Sequence, residues 1–298
     1  MPRTSASLTS NAVGGPRRGS TLRCVLMATG LAAAGILAVG SGCDTTEPLS
    51  GPPGLVQWEK VSADQTPASA NLLARGKRLY SVRCATCHGS DGNGRGPASI
   101  FLDPPPRDFT RGSFKLRSTH PDGMPADMDL FRTITAGFPA FGMPSFVYLS
   151  EEDRWSLVYY VKSLYPRWDQ FAAADVITIG DAPPVDSGTL DRGRVLYEET
   201  YQCITCHGPG GGGDGPRAHD LRGQWDLPIL PRDFTTGSTF QKAGGREEDL
   251  VRILATGLQG TSMPSYLDRW PDPTNMSALW DVARYVKHLQ RQAERRQE

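Results

Sequence analysis

A five-residue motif of two cysteines and a histidine occurs twice in the sequence and carries its clearest chemistry. The copies are Cys84-Ala85-Thr86-Cys87-His88 and Cys203-Ile204-Thr205-Cys206-His207. Two thiols about one helical turn apart can add to the two vinyl groups along one edge of a porphyrin, which leaves the next residue beneath the iron. The motifs therefore predict two covalently attached c-type haems, with His88 and His207 as proximal iron ligands.

The same four cysteines have two alternative uses. They could gather into one zinc site of four thiolates, or each pair could be a thioredoxin-like redox couple. Neither use requires a histidine directly after the second cysteine of both pairs. The haem interpretation is therefore favoured, with thioether bonds expected at Cys84, Cys87, Cys203 and Cys206.

Far along the chain from each motif stands a methionine in a repeated local sequence. The two segments are Met143-Pro144-Ser145-Phe146 and Met263-Pro264-Ser265-Tyr266, each beginning six residues after a helix-ending glycine. A thioether on an extended loop can reach the haem face opposite the histidine, and the following proline stiffens that loop. We predict Met143 and Met263 as distal iron ligands, with Met124 and Met128 as competitors in the first copy.

A second repeated motif reads Pro106-Arg107-Asp108-Phe109-Thr110 and Pro231-Arg232-Asp233-Phe234-Thr235. A guanidinium matches a carboxylate in shape and charge, so Arg107 and Arg232 are predicted to pair with haem propionates. The alternative is that Arg-Asp pairs hold this loop together internally. Pro97 and Pro216 each stand nine residues after a motif histidine, and a carbonyl in that region is expected to accept the second N–H of the imidazole.

Helical patterns flank these motifs, and here the sequence resembles the class I cytochromes c over about residues 71–298, in particular members with two haem domains in one chain. The resemblance implies that Gly76 and Tyr80, eight and four residues before Cys84, let the first and last helices of a domain cross closely. Gly193 and Tyr197 stand two residues further from their cysteine, so the crossing is less strongly predicted in the second copy.

The predicted fold class is all-α, with two tandem class I cytochrome c domains that are rich in loops and built around one covalent haem each. The chain has 298 residues, of which 38% are hydrophobic and 21% charged, which suits two domains of about 100 residues. The expected divisions are a signal peptide (1–43), a tether (44–70), domain 1 (71–169), a linker (170–188) and domain 2 (189–298).

The amino terminus has the pattern of an export signal. Three arginines precede an uncharged run at 25–39, which is followed by Gly40-Ser41-Gly42-Cys43. The run is short for a membrane span, which needs about 20 residues, and small residues before a cysteine resemble a bacterial lipoprotein cleavage site. We expect a lipid anchor at Cys43 on the periplasmic side of a membrane; an ordinary cleaved signal and an uncleaved anchor are the alternatives.

The predicted function is electron transfer, with no catalytic residues, between a donor and an acceptor redox protein, a membrane respiratory complex being one candidate partner. The formal net charge is zero, and no basic excess indicates a nucleic-acid partner. The first domain is mildly the more basic, which favours an acidic partner there. The alternatives are a dihaem peroxidase or other haem oxidoreductase, which needs an open iron position, and a cytochrome subunit of a larger respiratory complex.

Overall fold

The computed structural model describes residues 68–171, 175–236, 244–267 and 276–297, all within a single unit, Leu49–Glu298. The predicted signal peptide, the lipid-anchor residue Cys43 and nearly all of the predicted tether lie outside the described residues. Within the described ranges, no helix is both long enough and apolar enough to cross a bilayer.

The described residues are helical and contain no strand, and both halves of the chain show the same order of helices. The first half has α1 (Ala70–Arg83), α2 (Ala85–His88), α3 (Asp127–Ala136) and α4 (Glu151–Ser163). The second half has α5 (Thr189–Val195), α6 (Ile204–His207), α7 (Glu247–Thr256) and α8 (Ser277–Gln297). Long loops and short 3-10 turns join them. The prediction of an all-α, loop-rich fold is confirmed.

Helices α1 and α4 cross at Gly76, as predicted. A Cβ atom at Gly76 would overlap the carbonyl oxygen of Ser156 and would lie 2.8 Å from the Cβ of Tyr160. Four residues later on α1, the hydroxyl of the buried Tyr80 donates a 2.8 Å hydrogen bond to the carbonyl of Gly89, directly after the first haem motif. The crossing therefore fixes the position at which α1 ends and the first haem motif begins.

The second half makes the same crossing, although its spacing predicted it less strongly. A Cβ atom at Gly193 would lie 2.8 Å from the Cβ of Tyr285 on α8. The extra residues before the cysteines are taken up in two places: Leu196–Thr200 forms a π-helical turn, and Gln202 adopts a left-handed φ of 53°. Tyr197 consequently keeps the role of its counterpart and is 1% exposed.

Each half has its own hydrophobic core between its first and last long helices. In the first half the core side chains include Tyr80, Phe131, Leu157 and Val158. In the second half they include Tyr197, Val251, Trp280 and Val282.

The linker contacts both halves. The N–H of Ile177 donates to the carbonyl of Ser118 in the first half, at 2.8 Å. In the second half, Trp280 Nε1 donates to the carbonyl of Ile179 at 3.3 Å. The linker is therefore attached to both halves near Ile177 and Ile179, while most of its described residues are exposed.

Candidate haem sites

Each predicted proximal histidine has one ring nitrogen bound to a backbone carbonyl. His88 Nδ1 lies 3.1 Å from the carbonyl oxygen of Arg107, and His207 Nδ1 lies 3.0 Å from that of Arg232. Because a carbonyl can only accept, Nδ1 carries the proton and Nε2 keeps its lone pair for a metal. Such a carbonyl was expected near Pro97; the structure places it in the second repeated motif instead.

The imidazoles are also held by aromatic stacking. The ring of Phe109 stacks on His88 with centroids 4.5 Å apart and planes inclined by 19°. Phe234 stacks on His207 at 4.5 Å and 21°. Burial lowers the pKa of both histidines below the ordinary value, so both are neutral at pH 7. Each half therefore presents a neutral, oriented imidazole, which is the form that ligates iron.

No disulfide bond joins any two of the four motif cysteines. Burial raises the pKa of Cys84 to about 12 and that of Cys203 to about 11, so both are protonated at neutral pH. Among the described residues, no group of three or more His, Cys, Asp and Glu side chains is placed to share a metal ion. The cysteines are therefore not arranged as a four-thiolate zinc site.

A hydrogen bond from a serine ties each methionine loop to the helix before it. Ser145 Oγ donates to the carbonyl of Thr135 near the end of α3, at 2.7 Å. Ser265 Oγ donates to the carbonyl of Ala255 near the end of α7, at 2.6 Å. The serine of the repeated Met-Pro-Ser sequence thus satisfies a carbonyl in the last turn of the helix, which has no helical partner.

The glycine that ends each helix is required by the methionine loop. Gly137 and Gly257 adopt left-handed φ angles of 64° and 66°. A Cβ atom on Gly137 would lie 2.7 Å from the carbonyl oxygen of Met143, and one on Gly257 would lie 3.0 Å from that of Met263. Glycine is therefore needed both for the backbone conformation and for the close approach. The sequence pattern showed the helix end but not this contact.

The two competing methionines of the first half occupy a different environment. Met124 is 7% exposed in the hydrophobic core, and Met128 packs against the same cluster. Met143 is half-buried on a loop that matches the Met263 loop. The choice of Met143 as distal ligand stays a prediction, and this repeated position supports it.

The carboxylates of the second repeated motif serve the loop itself. Asp108 Oδ1 accepts hydrogen bonds from the backbone N–H of Thr110 at 2.9 Å and from its hydroxyl at 2.6 Å. Asp233 and Thr235 make the same pair of bonds, at 2.7 and 2.6 Å. The loop is thus closed mainly by Asp-Thr bonds, whereas the sequence had indicated Arg-Asp pairs for this role.

The side chain of Arg107 leaves its own half. Its Nη1 donates to Gln224 Oε1 of the second half at 2.8 Å. Burial lowers the pKa of Arg107 to about 10, and no carboxylate among the described residues offsets that burial. Gln224 Nε2 is also buried and has no hydrogen-bond partner in the described part of the chain. Two buried donors without an anion suit a haem propionate, and the pairing of Arg107 with a propionate stays a prediction.

The side chain of Arg232, in the second half, contacts the first half. Its guanidinium lies 5.0 Å from the centroid of the Phe141 ring, two residues before Met143 in the first half. The two repeated arginines are thus exchanged between halves, whereas their carbonyls stay on the histidines of their own halves. The repeated motif predicted a role for both arginines at the haems. It did not indicate that each side chain contacts the other half of the protein.

The comparisons with known proteins agree with this geometry. The family model described as cytochrome c oxidase, cbb3-type, subunit III matches residues 71–161 and 188–286, which is more than half of the chain. The chain belongs to this family. It is therefore a c-type cytochrome with two all-α cytochrome domains in tandem, and such domains bind haem c covalently and transfer electrons.

One similar solved structure is a chain of the Kuenenia stuttgartiensis reducing HAO-like protein complex Kustc0457/Kustc0458. The two chains are 34% identical, with a TM-score of 0.68, and the match covers 77% of this cytochrome and 99% of that chain. A search of curated proteins found no match to the sequence.

Proposed function

We propose that this cytochrome carries two haems and passes single electrons between a donor and an acceptor redox protein on the periplasmic side of a bacterial membrane. The observation that carries the proposal is the duplicated ligand geometry. Each half orients a neutral imidazole through a carbonyl and holds a methionine loop against the end of the preceding helix. Two axial groups for each haem leave no position for a substrate.

The chain's own residues have distinct roles in this proposal. Cys84, Cys87, Cys203 and Cys206 form the thioethers. His88 and His207 would ligate the irons through Nε2, and Met143 and Met263 would supply the second ligand of each iron. When bound, each haem supplies one-electron cycling between ferrous and ferric iron, and thioether ligation favours the ferrous form. Arg107 and Arg232 supply cations for the propionates.

Mass spectrometry of the protein from a host that matures c-type cytochromes tests the haem content. We expect two porphyrin adducts on the wild type and one on a variant with Cys203→Ser and Cys206→Ser. A mature chain without adducts would refute the proposal. A high-spin haem that reacts with peroxide would favour a haem oxidoreductase instead.

Substitution of the methionines tests the distal ligands. Methionine ligation to ferric haem gives a characteristic long-wavelength charge-transfer band. We expect Met143→Ala and Met263→Ala each to remove about half of that band, because each removes one ligand. Met124→Leu is the matched control, since it changes a core methionine with little change of volume. Loss of the band in Met124→Leu but not in Met143→Ala would reassign the ligand.

A second candidate function is that of a cytochrome subunit in a stable complex. The similarity to a chain of the reducing HAO-like protein complex, over most of both chains, favours it. Purification in mild detergent followed by native mass spectrometry tests it: a stoichiometric second protein supports this candidate, and a single species supports a free carrier.

We further propose that the chain is exported and anchored by lipid at Cys43. The sequence pattern at 40–43 supports this proposal. Mass spectrometry of the amino-terminal peptide tests it, with diacylglycerol and an acyl chain expected on Cys43. An unmodified terminus at another residue would show ordinary signal cleavage.

A further inference from the structure

The second half contains an insertion that reaches the first half. Histidine and carbonyl partner are 19 residues apart in the first half and 25 residues apart in the second. The added residues form a loop at 222–228, which we name the insertion loop. It is closed by a bridge between Arg222 and Pro228 and by a 2.8 Å hydrogen bond from Gly223 to Leu227.

The tip of the insertion loop contacts three arginines of the first half. Gln224 accepts the hydrogen bond from Arg107. The ring of Trp225 has guanidinium carbons of Arg95 and Arg111 within 4.7 and 4.5 Å of its centroid. Trp225 has a left-handed φ of 71°, a conformation that non-glycine residues adopt at a cost. These contacts hold the tip in place against that strain.

Arg107 connects both haem sites through this loop. Its carbonyl holds His88 of the first site. Its guanidinium packs against Gly260, which lies three residues before Met263 of the second site, and a Cβ atom on Gly260 would overlap it. The carbonyl of Gly260 in turn accepts a 3.0 Å hydrogen bond from the N–H of Gln224. Gln224 is therefore fixed by the methionine loop of its own half while it holds Arg107.

We propose that Gln224 is a positioning residue for the first haem site and that, through Arg107, the second half sets the reduction potential of the first haem. The Arg107 cation is buried and bound to a neutral amide, so no carboxylate of the described residues offsets its charge and the cation remains available to a haem propionate. A buried cation near an iron favours the less positively charged, ferrous state. The inference rests on the proposed dihaem function.

The test is a spectroelectrochemical titration of the intact holoprotein with Gln224→Glu. A carboxylate at this position adds a negative charge beside Arg107, so we expect the midpoint potential of the first haem to fall, and by more than that of the second. Arg107→Gln, which removes the cation, is expected to shift the first haem in the same direction. Gln170→Glu places the same charge on an exposed residue of the first half and is expected to shift neither.

The two midpoints are assigned with Met143→His and Met263→His, each of which lowers the potential of one haem. A Gln224→Glu protein whose first haem is unshifted, or whose haems shift equally, would overturn the inference. If Gln224→Glu loses haem, the neutral Gln224→Met takes its place, with a changed ferric EPR signal expected from the first haem alone. Absence of haem from the wild type would instead reject the proposed function.

Discussion

Replacement of Gly76 by alanine tests how tightly the first helix pair is packed. The added methyl group has no room, because its nearest neighbours are the carbonyl of Ser156 and the Cβ of Tyr160 on α4. These are backbone and near-backbone atoms of a regular helix and cannot rotate away as the end of a flexible side chain would. We therefore expect Gly76→Ala to push α1 and α4 apart.

The expected cost follows from two opposing contributions. Overpacking costs about 1–3 kcal/mol, and contact with backbone places this site near the upper end of that range. Alanine also gains about 1 kcal/mol over glycine as a helix former. The net loss in the free energy of unfolding is therefore about 2 kcal/mol. Gly193→Ala, at the equivalent position of α5, is expected to cost a similar amount.

Guanidinium titration of the holoprotein, followed by far-ultraviolet circular dichroism, measures this loss. The matched control is Lys77→Ala, one position along the same helix and exposed to solvent. It is expected to change stability by no more than about 0.5 kcal/mol. A Gly76→Ala protein as stable as Lys77→Ala would show that the crossing is looser than the geometry indicates.

Three further changes test the hydrogen bonds around the sites, each by denaturant titration. Tyr197→Phe removes the 2.7 Å bond to the carbonyl of Gly208, which keeps a 3.3 Å bond from the N–H of Gly211, and is expected to cost about 1 kcal/mol. Asp108→Ala removes the cap of the motif loop and should cost about 1 kcal/mol. The hydrogen bond from Arg75 lowers the pKa of Asp153, so the stabilisation by this pair is present above pH about 4 and is lost as the pH falls through the lowered pKa. Arg75→Gln should reduce this pH dependence, and the bond from Ser150 should preserve the rest.

The haem motifs and the helices around them were predictable because each leaves a local signal. The cysteine and histidine spacing, the glycine at a helix crossing and the glycine at a helix end are all constraints within a few residues of chain. Helix α1 contains both Gly76 and Tyr80, the two residues on which the predicted helix crossing rests. Repetition strengthened each prediction, since the same residue types recur in both halves.

The contacts between the halves left no comparable signal. The partner of Arg107 lies 117 residues away in an insertion that the first half lacks, so repetition could not reveal it. The carbonyls on the histidines were placed in the wrong loop because any backbone carbonyl has the same chemistry, and only the folded chain shows which one approaches. Stacking of Phe109 on His88 was missed for a similar reason, although the repeated phenylalanine was visible.

The π-helical turn at Leu196–Thr200 shows how the two halves of a duplicated chain can come to differ in length. It absorbs a change in chain length between a tyrosine and the cysteines without rotating the glycine or the tyrosine off the face that meets α8. Both halves keep the glycine and the tyrosine on the helix face that meets the last helix. The number of residues between the tyrosine and the first cysteine differs. Duplicated copies can therefore lengthen at this point and keep their partner helix, and a search pattern written with a rigid gap there would overlook such copies.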